Sequence, residues 1–186
     1  MALTYTEPTT IGTPCPDFRL IALDDKTYSL SDFKMKNGLL LAFICNHCPY
    51  VKAVENRLIE LASDLGKLDI SFVGVCSNDS SEYSEDSFEN LKKNWIAKKM
   101  KFVYLHDADQ TLAKSAGAVC TPDFFLYDKN QKLYYRGRLD DSWKDAQAVQ
   151  RRELFEIAQK MSRNEPPSCD SKSSMGCSIK WKNQNA

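Results

Sequence analysis

Two cysteines, Cys45 and Cys48, close the stretch "LLLAFICNHC" at residues 39–48; His47 lies between them and Pro49 follows. A thiolate attacks peroxide oxygens and disulfide sulfurs, and it also binds soft metal ions. The pair could therefore run redox chemistry. With His47 it could instead contribute to a zinc or copper(I) site, completed by Cys169 and Cys177. A third reading is chemically idle: cysteine is a small hydrophobe and is often simply buried. The metal reading is disfavoured by spacing, since Cys169 and Cys177 do not stand at knuckle separation.

The surrounding elements raise the redox reading. The run 39–44 is continuously apolar, which suits a central strand buried on both faces. From Pro49 the period changes: Val51, Val54, Leu58, Leu61, Ala62 and Leu65 recur at three and four residues, an amphipathic helix stopping at Gly66. Strands are expected at 18–23, within 27–33, at 69–77, near 101–107, at 123–128 and at 132–139. Further helices are expected over 84–99, with Ser84 or Ser87 as cap, over a short segment closing at Gly117, and over 142–163. Alternating strands and helices imply an α/β fold with a mainly parallel sheet, and in such sheets chemistry sits outside the carboxyl ends of strands. Cys45 and Cys48 lie just there.

Helix physics separates the two sulfurs. Proline is favoured at the first helical position, where its missing N–H costs nothing. If Pro49 holds that position, Cys48 is the cap, facing unpaired amides and the positive end of the helix dipole, which favours thiolate. Cys45, still on the strand, receives less of this help. Cys48 is therefore the expected attacking sulfur.

The 186 residues suffice for one domain with a good core. Lys and Arg (25) balance Asp and Glu (25), which gives no electrostatic footprint for nucleic acid or anionic lipid. The basic stretch "NLKKNWIAKKMK" reads as a solvated helix face. The start "MALTYTEPTTIGT" lacks the basic-then-apolar pattern of a signal peptide, and no apolar run reaches membrane length, so a soluble cytoplasmic protein is expected. A reducing compartment disfavours a disulfide framework for seven cysteines.

The segments "GTPCPDFRL", "YSLSDF", the apolar strand with its cysteine helix, and "CTPDFFLYD" together resemble the peroxiredoxin-like branch of the thioredoxin superfamily, the alkyl hydroperoxide reductase and thiol-specific antioxidant group, over about residues 10–160. "FICNHCPYVKA" and "GCSIKW" resemble a less characterised branch of that group. The resemblance implies a thioredoxin-like fold: a central mixed, mainly parallel sheet flanked by helices, with an N-terminal strand pair. From Asn164 the chain is rich in Pro, Ser, Lys and Asn, so one domain is expected over 1–163 and a mostly irregular tail over 164–186. The resemblance also implies a cis Thr121–Pro122 bond lying against the reactive cysteine and contributing, with His47 and Pro49, to the substrate site. Thioredoxin-type reductases run Phe-x-x-x-Trp-Cys-x-Pro-Cys-Lys. With Phe43 on that phenylalanine, Cys48 falls on the first cysteine and Val51 on the second. Typical peroxiredoxins carry a threonine three residues before the reactive cysteine; here that residue is Cys45.

The activity so implied is thiol-dependent oxidoreduction of a peroxide or a disulfide, an antioxidant role, with no bound cofactor and an external dithiol reductant such as a thioredoxin or glutaredoxin. The candidates for resolving Cys48 are Cys45 first, then Cys120, then Cys177. A metal-binding protein (copper or zinc) and a non-catalytic binding module on the same fold are the alternatives. His47 either tunes the thiolate or faces solvent. Cys76 reads as core filler, Cys15 and Cys169 as loop residues, His106 as structural, and Arg136 with Arg138 as one solvated edge-strand face.

Overall fold

The computed structural model describes residues 3–6, 9–33, 37–167 and 172–182. In chain order the elements are β1 (Leu3–Tyr5), β2 (Arg19–Ala22), β3 (Thr27–Ser29), β4 (Gly38–Phe43), α1 (Pro49–Lys67), β5 (Ile70–Cys76), α2 (Phe88–Ala97), β6 (Val103–His106), α3 (Thr111–Ala116), β7 (Cys120–Thr121), β8 (Asp123–Asp128), β9 (Leu133–Gly137), α4 (Glu153–Ser162) and β10 (Met175–Ser178). Seven strands form one sheet in the order β3-β2-β6-β5-β4-β8-β9. The centre, β4, β5 and β6, is parallel; β2 and β8 run antiparallel to it. This is the thioredoxin-like arrangement that the resemblance implies.

The apolar run of β4 is explained by burial on both faces. Leu40 and Ala42 pack toward Val51, Val54, Leu58, Leu61 and Leu65 of α1 and toward Leu154 and Ala158 of α4. Leu39, Leu41 and Phe43 point the other way, into a core with Val73, Val75, Leu105, Phe125 and Leu112 of α3. Successive side chains alternate across a strand, so a strand with two covered faces can carry no polar position. Each such leucine contributes about 1.5–3 kcal/mol of burial. That holds the carboxyl end of β4, and the cysteine loop after it, on a rigid base.

Three expectations are corrected. The helix expected over 142–163 forms only from Glu153; before it runs a loop with a single 3₁₀ turn at Ala146–Ala148. Arg57 of α1 anchors the start of this loop: its guanidinium takes the Ser142 and Trp143 carbonyls at 2.7 and 2.9 Å and pairs with Asp140. The helix expected over 84–99 starts only after Ser87, one of the two caps expected, which is extended and whose hydroxyl accepts the Asn90 N–H; Ser84–Asp86 form a separate 3₁₀ turn. The tail is not simply irregular. Its residues 175–178 form β10, the middle strand of a second sheet, β1-β10-β7. No described helix is long and apolar enough to cross a membrane.

Candidate active site

Pro49 is the first residue of α1 and Cys48 is its cap, with extended backbone at φ −69°, ψ 121°. Its carbonyl accepts the Val51 and Lys52 amides at 3.1 and 3.0 Å. The sulfur is fully buried. As a thiol it donates to the Thr121 carbonyl at 3.1 Å. The thiolate is favoured by the groups around it, the Cys45 and Cys177 thiols and the main-chain N–H groups of Cys177 and Val51, although the sulfur makes no capping hydrogen bond to the helix amides. The Cys45 hydrogen bond is the largest influence; together these donors outweigh burial and lower the Cys48 pKa to about 5.

The neighbouring thiols go the other way. Burial, then the hydrogen bond given to Cys48, hold Cys45 well above the ordinary thiol range, and the Asp86 carboxylate pushes in the same direction. The Cys45 sulfur also meets the Thr121 hydroxyl at 3.3 Å. Burial raises Cys177 to about 12, with its hydrogen bond to Cys48 as the second cause. Burial likewise raises Cys120, whose thiol donates to the Pro122 carbonyl. The structure thus sets the Cys45 and Cys177 thiols where they act on Cys48, and points the Cys120 thiol to the Pro122 carbonyl. The Thr121–Pro122 bond is cis.

The cysteine loop is held by a residue that sequence reasoning missed. Asp86, fully buried, accepts four N–H donors. One oxygen takes the Asn46 and His47 amides at 2.8 and 3.1 Å; the other takes His47 Nδ1 at 2.5 Å and Asn78 Nδ2 at 2.8 Å. Burial raises the Asp86 pKa, but the His47 and Asn78 hydrogen bonds and the His47 charge more than reverse it, so the carboxylate stays ionised. Asn46 adds bonds to the Glu85 and Asn90 carbonyls at 3.0 and 3.1 Å. The solvent-facing reading of His47 is overturned: its side chain is 3% exposed and stacks on Tyr83 with centroids 4.2 Å apart.

Cys45, His47 and Asp86 bring three potential metal ligands within 4.8 Å of one another. Both Asp86 oxygens already accept two hydrogen bonds each, so the group works as a loop anchor as it stands. Cys169, part of the metal set raised by the sequence, lies outside the described residues.

The solvated edge expected for Arg136 and Arg138 is also corrected. Arg136 pairs with the fully buried Asp123 at 2.8 Å, donates to the Gly117 carbonyl at 2.8 Å and lies 4.5 Å over the Phe125 ring. Burial raises Asp123 to about 6 against the pull of Arg136. Arg138 grips Glu153 with two bonds, at 2.6 and 2.9 Å. A cavity of about 170 Å³ adjoins Pro122, walled by Val54, Phe124, Trp143, Tyr5 and Met175.

Residues 10–151 match the Redoxin family. No curated protein matches the chain. Among solved structures, an uncharacterized conserved protein from Geobacillus kaustophilus is similar at 37% identity and TM-score 0.93, with 99% of this chain and 98% of that one covered. A hypothetical protein from Sinorhizobium meliloti is similar at 34% identity and TM-score 0.91, covering 96% and 98%. Peroxidoxin BcpB from Mycobacterium tuberculosis shares the fold at 18% identity and TM-score 0.63, covering 83% and 96%.

Proposed function

The chain belongs to the Redoxin family, and from that premise we propose that it is a thiol-dependent oxidoreductase whose attacking group is the Cys48 thiolate. One observation carries the assignment: a sulfur on the helix-cap residue, surrounded by hydrogen-bond donors, with its pKa lowered to about 5. At neutral pH such a sulfur is ionised and nucleophilic, while the thiols around it keep their protons.

With a hydroperoxide, the thiolate attacks the near oxygen. The S–O bond forms, the O–O bond breaks, and the departing alkoxide or hydroxide takes a proton. Cys48 is left as a sulfenic acid, which a second thiol converts to a disulfide with loss of water. With a disulfide, Cys48 forms a mixed disulfide, and a second thiol releases it. Cys45 and Cys177 both hydrogen-bond the Cys48 sulfur and are the candidates for that second thiol; Cys120 falls behind them. Either cycle ends when an external dithiol, of the thioredoxin or glutaredoxin kind, reduces the protein. The cytoplasm supplies such dithiols.

The test is kinetic. Cys48→Ser is expected to lower the rate of peroxide or disulfide reduction by roughly 10³-fold or more, as removal of a nucleophile does. Cys45→Ser is expected to leave Cys48 able to react with its first equivalent of oxidant. If Cys45→Ser silences the protein while Cys48→Ser only traps an intermediate, the attacking sulfur is Cys45 and the assignment fails.

A further inference from the structure

An extended polypeptide can join a protein by adding itself as a strand to an exposed sheet edge. The edge nearest Cys48 is β7, the two residues that lead into Pro122. It is already taken. β10 pairs with it antiparallel, with Cys177 opposite Thr121 and Ser178 opposite Cys120. β1 then covers the other edge of β10.

We infer that β10 is an internal occupant of the strand edge beside Cys48, that it delivers Cys177 as the thiol that resolves Cys48, and that it confines the site to small oxidants by keeping extended polypeptides out. This rests on the reading of Cys48 as the attacking sulfur.

The fit of β10 is close enough to specify its sequence. A Cβ on Gly176 would stand 2.0 Å from the Thr121 oxygen and 2.6 Å from its carbonyl carbon, so only glycine lets the strands approach. The flanks are tied on both sides. Before β10, the Ser174 amide donates to the Thr6 hydroxyl at 3.0 Å and its hydroxyl to the Gly137 carbonyl at 2.6 Å. After it, Ile179 N–H donates to the Val119 carbonyl at 3.0 Å. The Lys180 carbonyl accepts from Asp79 N–H and from Gln110 Nε2, both at 2.8 Å. Gln110 and Asn78, both buried, take the Lys182 and Lys180 amides at 2.9 Å each.

An incoming polypeptide would have to displace all of this. It would also dismantle the nucleophile, because the amide and thiol of Cys177 are two of the donors that hold the Cys48 thiolate. A peroxide or a low-molecular-weight disulfide needs no such displacement.

Charge separates the two candidate resolving thiols. The Cys45 sulfur lies within 4.8 Å of an Asp86 oxygen, whereas the Lys180 ammonium is held on Ser178, the residue after Cys177. Resolution is a condensation. The Cys177 sulfur attacks the sulfenic sulfur of Cys48, the S–S bond forms, the S–O bond breaks, and the hydroxide leaves as water with the Cys177 proton. No further oxidant is required.

The deciding experiment uses the full chain. Reduced protein is treated with one equivalent of hydrogen peroxide, alkylated, digested and mapped by mass spectrometry. A Cys48–Cys177 disulfide is the expected principal product. It should persist in Cys45→Ser, and Cys177→Ser should stop at a Cys48 sulfenic acid captured by dimedone. A Cys45–Cys48 or Cys48–Cys120 disulfide would overturn the role of Cys177 while leaving the attacking sulfur in place. Cys48 left unmodified by hydrogen peroxide and by oxidised glutathione alike would overturn the reading beneath it. For the occluding role, wild-type kcat/KM for hydrogen peroxide or oxidised glutathione should exceed that for insulin disulfides by about a hundredfold or more. Equal rates would show that β10 excludes nothing.

Discussion

Cys45 and Cys48 stand three residues apart on one loop, and both are buried, at 2% and 0% exposure. Their thiols are nevertheless driven in opposite directions. Burial pushes both up, so burial does not separate them. Position does. Cys48 caps a helix and lies against a strand end, and so faces the Val51 and Cys177 amides; Cys45, expected on the strand, lies two residues beyond the end of β4 and faces a carboxylate. The hydrogen bond between the two sulfurs then counts once on each side, stabilising one thiolate by keeping the other sulfur protonated. One negative charge is shared among three thiols and settles where the backbone donors converge.

The largest expected effect comes from removing what holds the loop in that geometry. Asp86→Ala would leave four buried N–H donors without their acceptor. The loss should be on the order of 3 kcal/mol or more of folding stability, as for several buried donors left unpaired at once. It should also lower the Cys45 pKa, by removing the facing carboxylate, and so narrow the gap between the two thiols. Urea unfolding gives the first result and titration of the 240 nm thiolate absorbance the second. A loss under about 1 kcal/mol with an unchanged titration would mean that the loop holds its shape without Asp86.

A smaller change sharpens the same comparison. Cys45→Ala and Cys177→Ala each remove a donor to Cys48 without adding a charge. Both should raise the Cys48 pKa, and Cys45→Ala should raise it more, because that bond is the largest single influence. The readout is the 240 nm titration, taken as the difference from the same variant carrying Cys48→Ser. The reverse order would shift the weight of the anion site from the loop to β10.

What the sequence disclosed follows from how local each cause is. The strand β4 and the helix α1 were legible, because two-sided burial and a 3.6-residue period are written into consecutive side chains. The cap at Cys48 was legible because Pro49 can hold few other positions. Asp86 was not. It stands among Glu82, Glu85 and Glu89 with no pattern to distinguish it, and its partners His47 and Asn46 lie about forty residues upstream, a separation no local rule spans. The strand β10 was hidden for a related reason: "MGCS" carries no strand period, and its role depends on a close approach to Thr121 that only the fold creates. The loop over 142–152 shows the opposite error. Its residues could form a helix, but they run as a loop whose start a guanidinium from α1 anchors.

The pH dependence of stability is the smallest effect when read over a fraction of a pH unit, and its sign near neutrality follows from Cys48, with Asp123 entering at the acid end. The Cys48 pKa is lowered from 9.0 to about 5 by folding. A depressed acid stabilises the folded state fully above its ordinary pKa, and that contribution is lost as pH falls toward the folded value. The Cys48 contribution should therefore decline from pH 9 toward pH 5, by at most about 1.4 kcal/mol per pH unit for one proton, while the buried thiols whose pKa is raised oppose it only near pH 9. Asp123 opposes this at the acid end. Its pKa is raised from 3.8 to about 6, so the folded state binds that proton more readily and gains stability as pH falls from 6 toward 4. Between about pH 7.5 and 7 the Cys48 contribution stands apart from that of Asp123, from that of His106, which burial lowers, and from those of the raised thiols. In that interval the slope should be present in the wild-type protein, nearly absent in Cys48→Ala, and retained in Cys120→Ala, whose thiol stays protonated throughout. A slope that survives Cys48→Ala would place the titrating charge elsewhere and remove the distinction between the two ends of the loop.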